Sequence, residues 1–251
     1  MRYTVLTYIF GGYDIVHEVL EKDSNADYIL VTDDANLKSD TWHIVYDPMD
    51  DKSVMEKCYY VRYHPFLYAQ TEYVIRLDSS ISIKRSLAPF IDKMVSGGYD
   101  RCLMIHPRRN LMKDEYDTWI NKRGYNPVLA RICLDFMENL GYDLKYRGLF
   151  QACFEVVKNN DINSQINEKT FDYLKMVSHN GSMERVDQTL FSFVINHSFS
   201  NDIKILPISQ DVVTNGIFMD WHEHASLRKR TCNVGIKPMI FDKKCETWLP
   251  I

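Results

Sequence analysis

Asp78 closes the apolar run Tyr73 to Leu77 and is followed by Ser79 and Ser80. A carboxylate delivered to a loop beside two hydroxyls is the oxygen-rich setting that a hard divalent cation selects. A diphosphate needs such a cation, or several basic groups, to offset its charge. Lys57 and Arg62 stand upstream of that run. They either reach back over the same pocket or stay solvated, the common fate of Lys and Arg. After the first apolar run comes Phe10-Gly11-Gly12-Tyr13-Asp14, in which two glycines either let backbone amides approach a ligand or make a tight turn. Thr32-Asp33-Asp34 follows the next run; its carboxylates accept hydrogen bonds from a base or ribose, or cap the following turn. Later come His106-Pro107-Arg108-Arg109 with Asp114-Glu115, then Asp187-Gln188, then His222-Glu223-His224. Asp187 and Gln188 fall in the first turn of a predicted helix, where the dipole favours an acid in any case. His222 and His224 could share a strand face and bind metal, although that spacing also suits a plain surface.

These residues need elements to hold them. The apolar patterning predicts strands at Tyr3 to Ile9, Tyr28 to Thr32, Trp42 to Tyr46, Tyr73 to Leu77 and Leu149 to Val157. Ser53-x-x-Glu56 is a capping box that opens a helix through Lys57, Val61 and Arg62, with Pro65 ending it or starting a new turn. A second helix runs from Asn126 to Gly141 with Leu129, Ile132, Cys133, Phe136 and Leu140 as its apolar stripe. Ser182 is expected to cap a third, through Asp187, Gln188 and Val194. Alternating strands and helices imply an α/β sheet, mixed and mainly parallel, in which ligands gather at the carboxyl ends of strands.

Composition narrows the field. The 251 residues carry 30 basic and 34 acidic side chains, net −4, which removes the footprint of a general nucleic-acid binder. No apolar run is long enough to span a membrane and no signal-peptide pattern opens the chain. Six scattered cysteines without a C-x-x-C pair predict reduced thiols and a cytoplasmic protein, with Cys102, Cys133 and Cys153 in the core. No repeat or linker divides the chain, so residues 1–251 are expected to form one domain. No G-x-G-x-x-G, G-x-S-x-G, P-loop or H-E-x-x-H occurs, which disfavours dinucleotide, serine-hydrolase, P-loop and zincin chemistry.

Taken together, Thr7 to Asp14, Thr32-Asp33-Asp34, Trp42, Lys57, Leu77-Asp78, His106-Pro107-Arg108, Asp114-Glu115 and Asp187-Gln188 resemble a bacterial and plant glycosyltransferase-like family long catalogued as a domain of unknown function. Proteins of that kind look like GT-A nucleotide-sugar transferases. Their Rossmann-like sheet holds a nucleoside diphosphate sugar beside an Asp-x-Asp loop, usually with manganese. A fainter likeness reaches the glycogenin-like transferases, through Leu77-Asp78-Ser79-Ser80 and Gly235-Ile236-Lys237-Pro238. One departure is chemical: Ser80 stands where the second Asp of the loop belongs, and a hydroxyl is a weaker, neutral ligand.

The resemblance implies a single GT-A-like domain that moves a sugar from a nucleoside diphosphate donor to a glycan or lipid-linked acceptor, in polysaccharide biosynthesis. Thr7, Gly11, Gly12, Tyr13 and Asp33 would line the nucleotide pocket, with Lys57 and Arg62 favouring the ribose or phosphates. Asp78, with Ser80 and His224, would hold Mn2+ or Mg2+. His106, Arg109, Asp114 and Glu115 would contact donor sugar or acceptor, and Asp187 with Gln188 would face the anomeric carbon or acceptor hydroxyl. Peripheral membrane contact is compatible with a lipid-linked acceptor. Two other classes compete: a non-catalytic nucleotide-sugar or glycan-binding module, and a metal-dependent phosphohydrolase using Asp33 and Asp34.

Overall fold

The computed structural model describes the chain apart from residues 122–126, 142–146, 178–185, 215, 223–238, 243–246 and 251. In chain order β1 (Tyr3–Ile9), β2 (Ala26–Thr32) and β3 (His43–Tyr46) precede helix α1 (Val54–Tyr63). Next come β4 (Tyr73–Leu77), β5 (Ile81–Ile83), α2 (Ala88–Gly97), β6 (Arg101–Ile105), α3 (Met112–Asn121) and α4 (Pro127–Asn139). The chain continues through β7 (Phe150–Lys158), α5 (Asp161–Val177), α6 (Asp187–Phe193), β8 (Ile205–Ile208), α7 (Asp211–Thr214) and β9 (Met219–Trp221). A short hairpin, β10 (Met239–Asp242) and β11 (Thr247–Pro250), ends the described chain.

Seven strands form one mixed sheet in the order β3-β2-β1-β4-β7-β6-β8, so this is an α/β fold. Neighbours run parallel except where β7 lies antiparallel between β4 and β6. The central strands β1 and β4 are buried along their whole length, which is why they read as predominantly apolar runs, broken in β4 by Arg76, rather than as an alternation. On one face Val5, Ile9, Ile75, Leu77 and Val156 pack under Phe90, Ile91 and Met94 of α2. On the other, Leu6, Tyr8 and Val74 meet Val61 of α1, while Leu103 and Phe150 join Ile166, Leu190 and Cys133 of α5, α6 and α4.

From β1 the chain moves one way, to β2 and β3, and β4 lies on the other side of β1. The carboxyl ends of β1 and β4 therefore border a topological switch point, the usual crevice of such sheets. Helix α1 runs into β4 and is fixed at its start by Ser53 and Glu56, which make both bonds of the expected capping box.

Several expectations need correcting. Of the stripe predicted for α4, Cys133 and Phe136 pack into the core, but Ile132 and, just past the helix, Leu140 are exposed, and among the described residues Leu134 and Met137 are buried in their place. Helix α6 starts at Asp187 with Val186 as its N-cap, and the proposed cap Ser182 lies outside the described residues, as does Asn126. After Phe193 the chain continues in a π-helical turn, Val194–Ser198. Among the described residues no helix is long and apolar enough to cross a membrane.

Candidate functional site

A cleft of about 280 Å3 opens at the switch point, at the small end of the range for ligand sites. Tyr8, Ile9 and Phe10 from the end of β1, Tyr13 beyond it, and Asp78 and Ser79 from the end of β4 line it. Cys58, Tyr59 and Arg62 of α1 and Asp187 and Gln188 of α6 complete one wall, with Glu115, Gln151 and Trp221 at other points. Half-exposed Trp221 and partly exposed Tyr13 give the cleft flat surfaces on which a ring can stack, with Tyr8 and Phe10 buried as its apolar floor.

The turn after β1 is built by its glycines. Gly11 and Gly12 both have φ of +60°, and the Tyr13 amide donates to the Phe10 carbonyl at 3.2 Å, the pattern of a type I′ turn. A Cβ on Gly11 would also lie 2.8 Å from Val54 Cγ2 of α1. Asp33 fastens this turn: Oδ1 accepts the Gly11 amide at 2.9 Å and Oδ2 accepts Lys57 Nζ at 2.8 Å. Burial opposes the Asp33 charge, but the bonds from Lys57 and Gly11 outweigh it and hold the carboxyl below its ordinary range. Asp14 ties the same turn to the β4 loop, its Oδ2 accepting the Ser79 hydroxyl at 2.9 Å.

The opposite wall carries a line of alternating charges. Arg62 donates from Nη1 to Asp187 and from Nη2 to Asp78 at 2.8 Å. Asp78 Oδ1 also faces Arg76 Nη1 at 3.5 Å. Arg76 Nε donates to Glu155 at 2.6 Å, Arg101 Nε donates to the other Glu155 oxygen at 2.9 Å, and Arg101 Nη2 reaches Asn167 of α5. The order is Asp187, Arg62, Asp78, Arg76, Glu155, Arg101, from the cleft into the core. Burial opposes the Arg62 charge, but Tyr8, Asp187 and Asp78 raise its pKa well above the ordinary value, so it stays ionised. Burial likewise works against ionised Glu155, and Arg101 and Arg76 reverse the effect and lower its pKa. The Tyr59 hydroxyl donates to Asp187 Oδ1 at 3.2 Å, giving that carboxylate a second, fixed partner.

The predicted residues divide. Tyr13, Arg62, Asp78, Glu115, Asp187 and Gln188 share the cleft. Gly11, Gly12, Asp33 and Lys57 build its rim from behind without lining it, and Thr7 is buried beneath. His106 accepts the Arg108 and Arg109 amides on Nδ1, Arg109 pairs with Glu115 at 2.9 Å, and Asp114 accepts the Leu111 amide at the start of α3. Of this group only Glu115 lines the cleft.

Of the three proposed metal ligands, Asp78 faces the cleft. Ser80 is buried in the turn and its carbonyl accepts the His222 amide at 2.7 Å, while His224 and the Gly235 to Pro238 segment lie outside the described residues. Among the described residues no three His, Cys, Asp or Glu side chains gather closely enough to hold a metal ion. As it stands, the described donor set offers a cation one carboxylate, already facing two guanidinium groups, and does not by itself make a cation site.

Sequence reasoning passed over Tyr59, Arg76, Gln151 and Glu155. The signal for two of them was present: Arg76 and Glu155 each interrupt an apolar strand, as does Arg101, and charges in such places are almost always paired. The thiols behave as expected, with burial pushing Cys102, Cys133 and Cys153 up to about 12. A comparison with protein-family models found no match, and a comparison with curated proteins found no similar sequence.

Proposed function

We propose that the chain is a GT-A-like glycosyltransferase that takes a sugar from a nucleoside diphosphate donor and passes it to a hydroxyl of a glycan or lipid-linked acceptor. The observation that carries this reading is the meeting of Arg62, Asp78 and Asp187 with Tyr8, Phe10 and Tyr13 in one cleft at the β1/β4 switch point. The strand order, with an antiparallel β7 inserted after β4, supports the same architecture.

In the proposed reaction the bond from the anomeric carbon to the diphosphate oxygen breaks, and the electron pair leaves with the diphosphate. Arg62 would meet the growing phosphate charge, an interaction stronger in the transition state than before it. The acceptor oxygen forms the new bond to the anomeric carbon and gives up its proton. Asp187 would take that proton if configuration inverts, or stabilise the cationic sugar if it is retained. Gln188, beside Asp187, would orient the sugar or acceptor. Stacking on the cleft aromatics, with Trp221 at the mouth, would hold base or sugar ring. A divalent cation, Mn2+ or Mg2+, remains part of the proposal at Asp78, where it would add charge opposite the diphosphate. With one described ligand for it, the phosphate-facing work is assigned to Arg62.

The test is a panel of nucleotide sugars, with Mn2+ and with EDTA, assayed for binding and for nucleoside diphosphate release with hydroxyl acceptors. Turnover of at least one donor, lost in Asp78→Asn with the fold intact, is the expected result. Phosphate release from simple esters without any acceptor would favour the phosphohydrolase reading instead. Neither Asp33 nor Asp34 lines the cleft, and both Asp33 oxygens are engaged by Gly11 and Lys57, so nothing in the geometry favours that reading.

A further inference from the structure

Arg62 is the one group that both carboxylates of the cleft wall share. Its guanidinium spans two carboxylates, Asp187 and Asp78, each of which has a second partner of its own: the Tyr59 hydroxyl for Asp187 and Arg76 for Asp78. Either carboxylate keeps a fixed position if Arg62 turns away. Arg62 is more than nine-tenths buried, lines the cleft, and its Nε has no hydrogen-bond partner among the described residues. A buried guanidinium with one unsatisfied N–H is poised for an acceptor the protein lacks, and the planar fork of Arg matches two oxygens of a phosphate.

We propose that Arg62 is a donor-responsive gate on Asp187: before the donor arrives its guanidinium occupies the carboxylate, and an incoming diphosphate draws the guanidinium away and frees Asp187 for the acceptor. This rests on the donor reading above. The exchange keeps Arg62 paired, because the phosphate replaces Asp187 opposite it, and leaves Asp187 an ionised carboxylate held by the neutral Tyr59 hydroxyl alone. Its consequence is an order of events. The acceptor meets a competent carboxylate only when an activated sugar is already in place.

The gate makes a prediction of unusual sign. If Asp187 competes with the diphosphate for Arg62, then Asp187→Asn should bind diphosphates more tightly while losing transfer. Calorimetry with uridine, guanosine and adenosine diphosphates, each with Mn2+ and with EDTA, reads this directly. The expected result is a Kd roughly tenfold lower in Asp187→Asn than in wild type, the size of one charge-assisted hydrogen bond. Asp187→Ser, checked for a native thermal transition, makes the same prediction should Asn disturb α6. In an Arg62→Lys background, where one ammonium cannot span both carboxylates, the gain from Asp187→Asn should vanish. Unchanged or weaker binding in the Asp187 variants, or the same gain without Arg62, overturns the gate and leaves the donor reading standing. Binding of none of the three diphosphates to wild type defeats both.

Discussion

Helix α1 hands a cation to each of two walls of the cleft, and the two are used differently. Lys57 goes to Asp33, whose other oxygen holds the Gly11 amide, so that pair is closed upon itself and builds the rim. Arg62, five positions on, goes to Asp78 and Asp187, lines the cleft and retains an unsatisfied N–H. Residue type does not separate scaffold from site here; the number of bonds left to be made does.

The largest effect is expected deepest in the charged wall. Glu155→Gln leaves Arg76 and Arg101 facing a neutral amide in the core and should cost about 3–5 kcal/mol, read by chemical denaturation. A cost under about 1 kcal/mol would mean that the inner charges are solvated and the alternating line is not a unit. Asp187→Ala, at the cleft end of that line, should cost less stability than Glu155→Gln, because Arg62 keeps Asp78, and reduce transfer by roughly 10²–10⁴-fold, as loss of an acid-base group does. Equal losses in transfer and donor binding would remove its catalytic role. On the closed wall, Lys57→Met should lower stability by about 1–3 kcal/mol while leaving donor affinity nearly intact. If Lys57→Met weakens donor binding more than Arg62→Lys does, the division between the walls is wrong.

How much of this could be read in advance depends on what each element buries. Strands β1 and β4 have the bounds that the apolar runs predict, because both faces are covered and Arg76 is the one charge within them. The start of α1 was equally legible, its signal being a local pair of hydrogen bonds between Ser53 and Glu56. Helix α5 was not, since it buries Asn163, Asn167 and Thr170 beside its apolar residues and so dilutes the 3.6-residue pattern. Asn163 is there for its hydrogen bonds to the Lys158 carbonyl, five positions back, and to the Asp100 carbonyl, a long-range partner that no window reveals. Helix α2 went unread although Pro89 and Gly98 bracket it. In the site, spacing could nominate Asp78 and Asp187, 109 positions apart by their numbers, but not the single guanidinium that joins them. Asp33 shows the converse, a carboxylate rightly placed at a strand exit whose two oxygens turn out to serve the turn.

Two smaller measurements sharpen the contrast. Gly12→Ala forces a left-handed conformation with open space around the new methyl and should cost about 1–2 kcal/mol, whereas Gly11→Ala should cost more because Val54 lies 2.8 Å away. Similar costs at the two positions would place α1 farther from the turn than described. The smallest effect is in acid. Asp33 has a lowered pKa when folded, so its stabilisation is complete above the ordinary carboxylate value of about 3.9 and is lost as pH falls through the lowered one. The stability difference between wild type and Lys57→Met should therefore hold from neutrality to about pH 4 and shrink below it. A difference that grows on acidification would contradict the pairing.

The central claim is that the cleft between β1 and β4 receives an activated sugar through Arg62. Thermal unfolding of wild type and Arg62→Lys across a panel of nucleotide sugars tests it most directly, since a ligand bound only by the native state raises Tm. At a concentration near a hundred times Kd, at least one donor should raise the wild-type Tm by roughly 5–10 °C and the Arg62→Lys Tm by clearly less. No shift with any nucleotide sugar, or the same shift in both proteins, would contradict it.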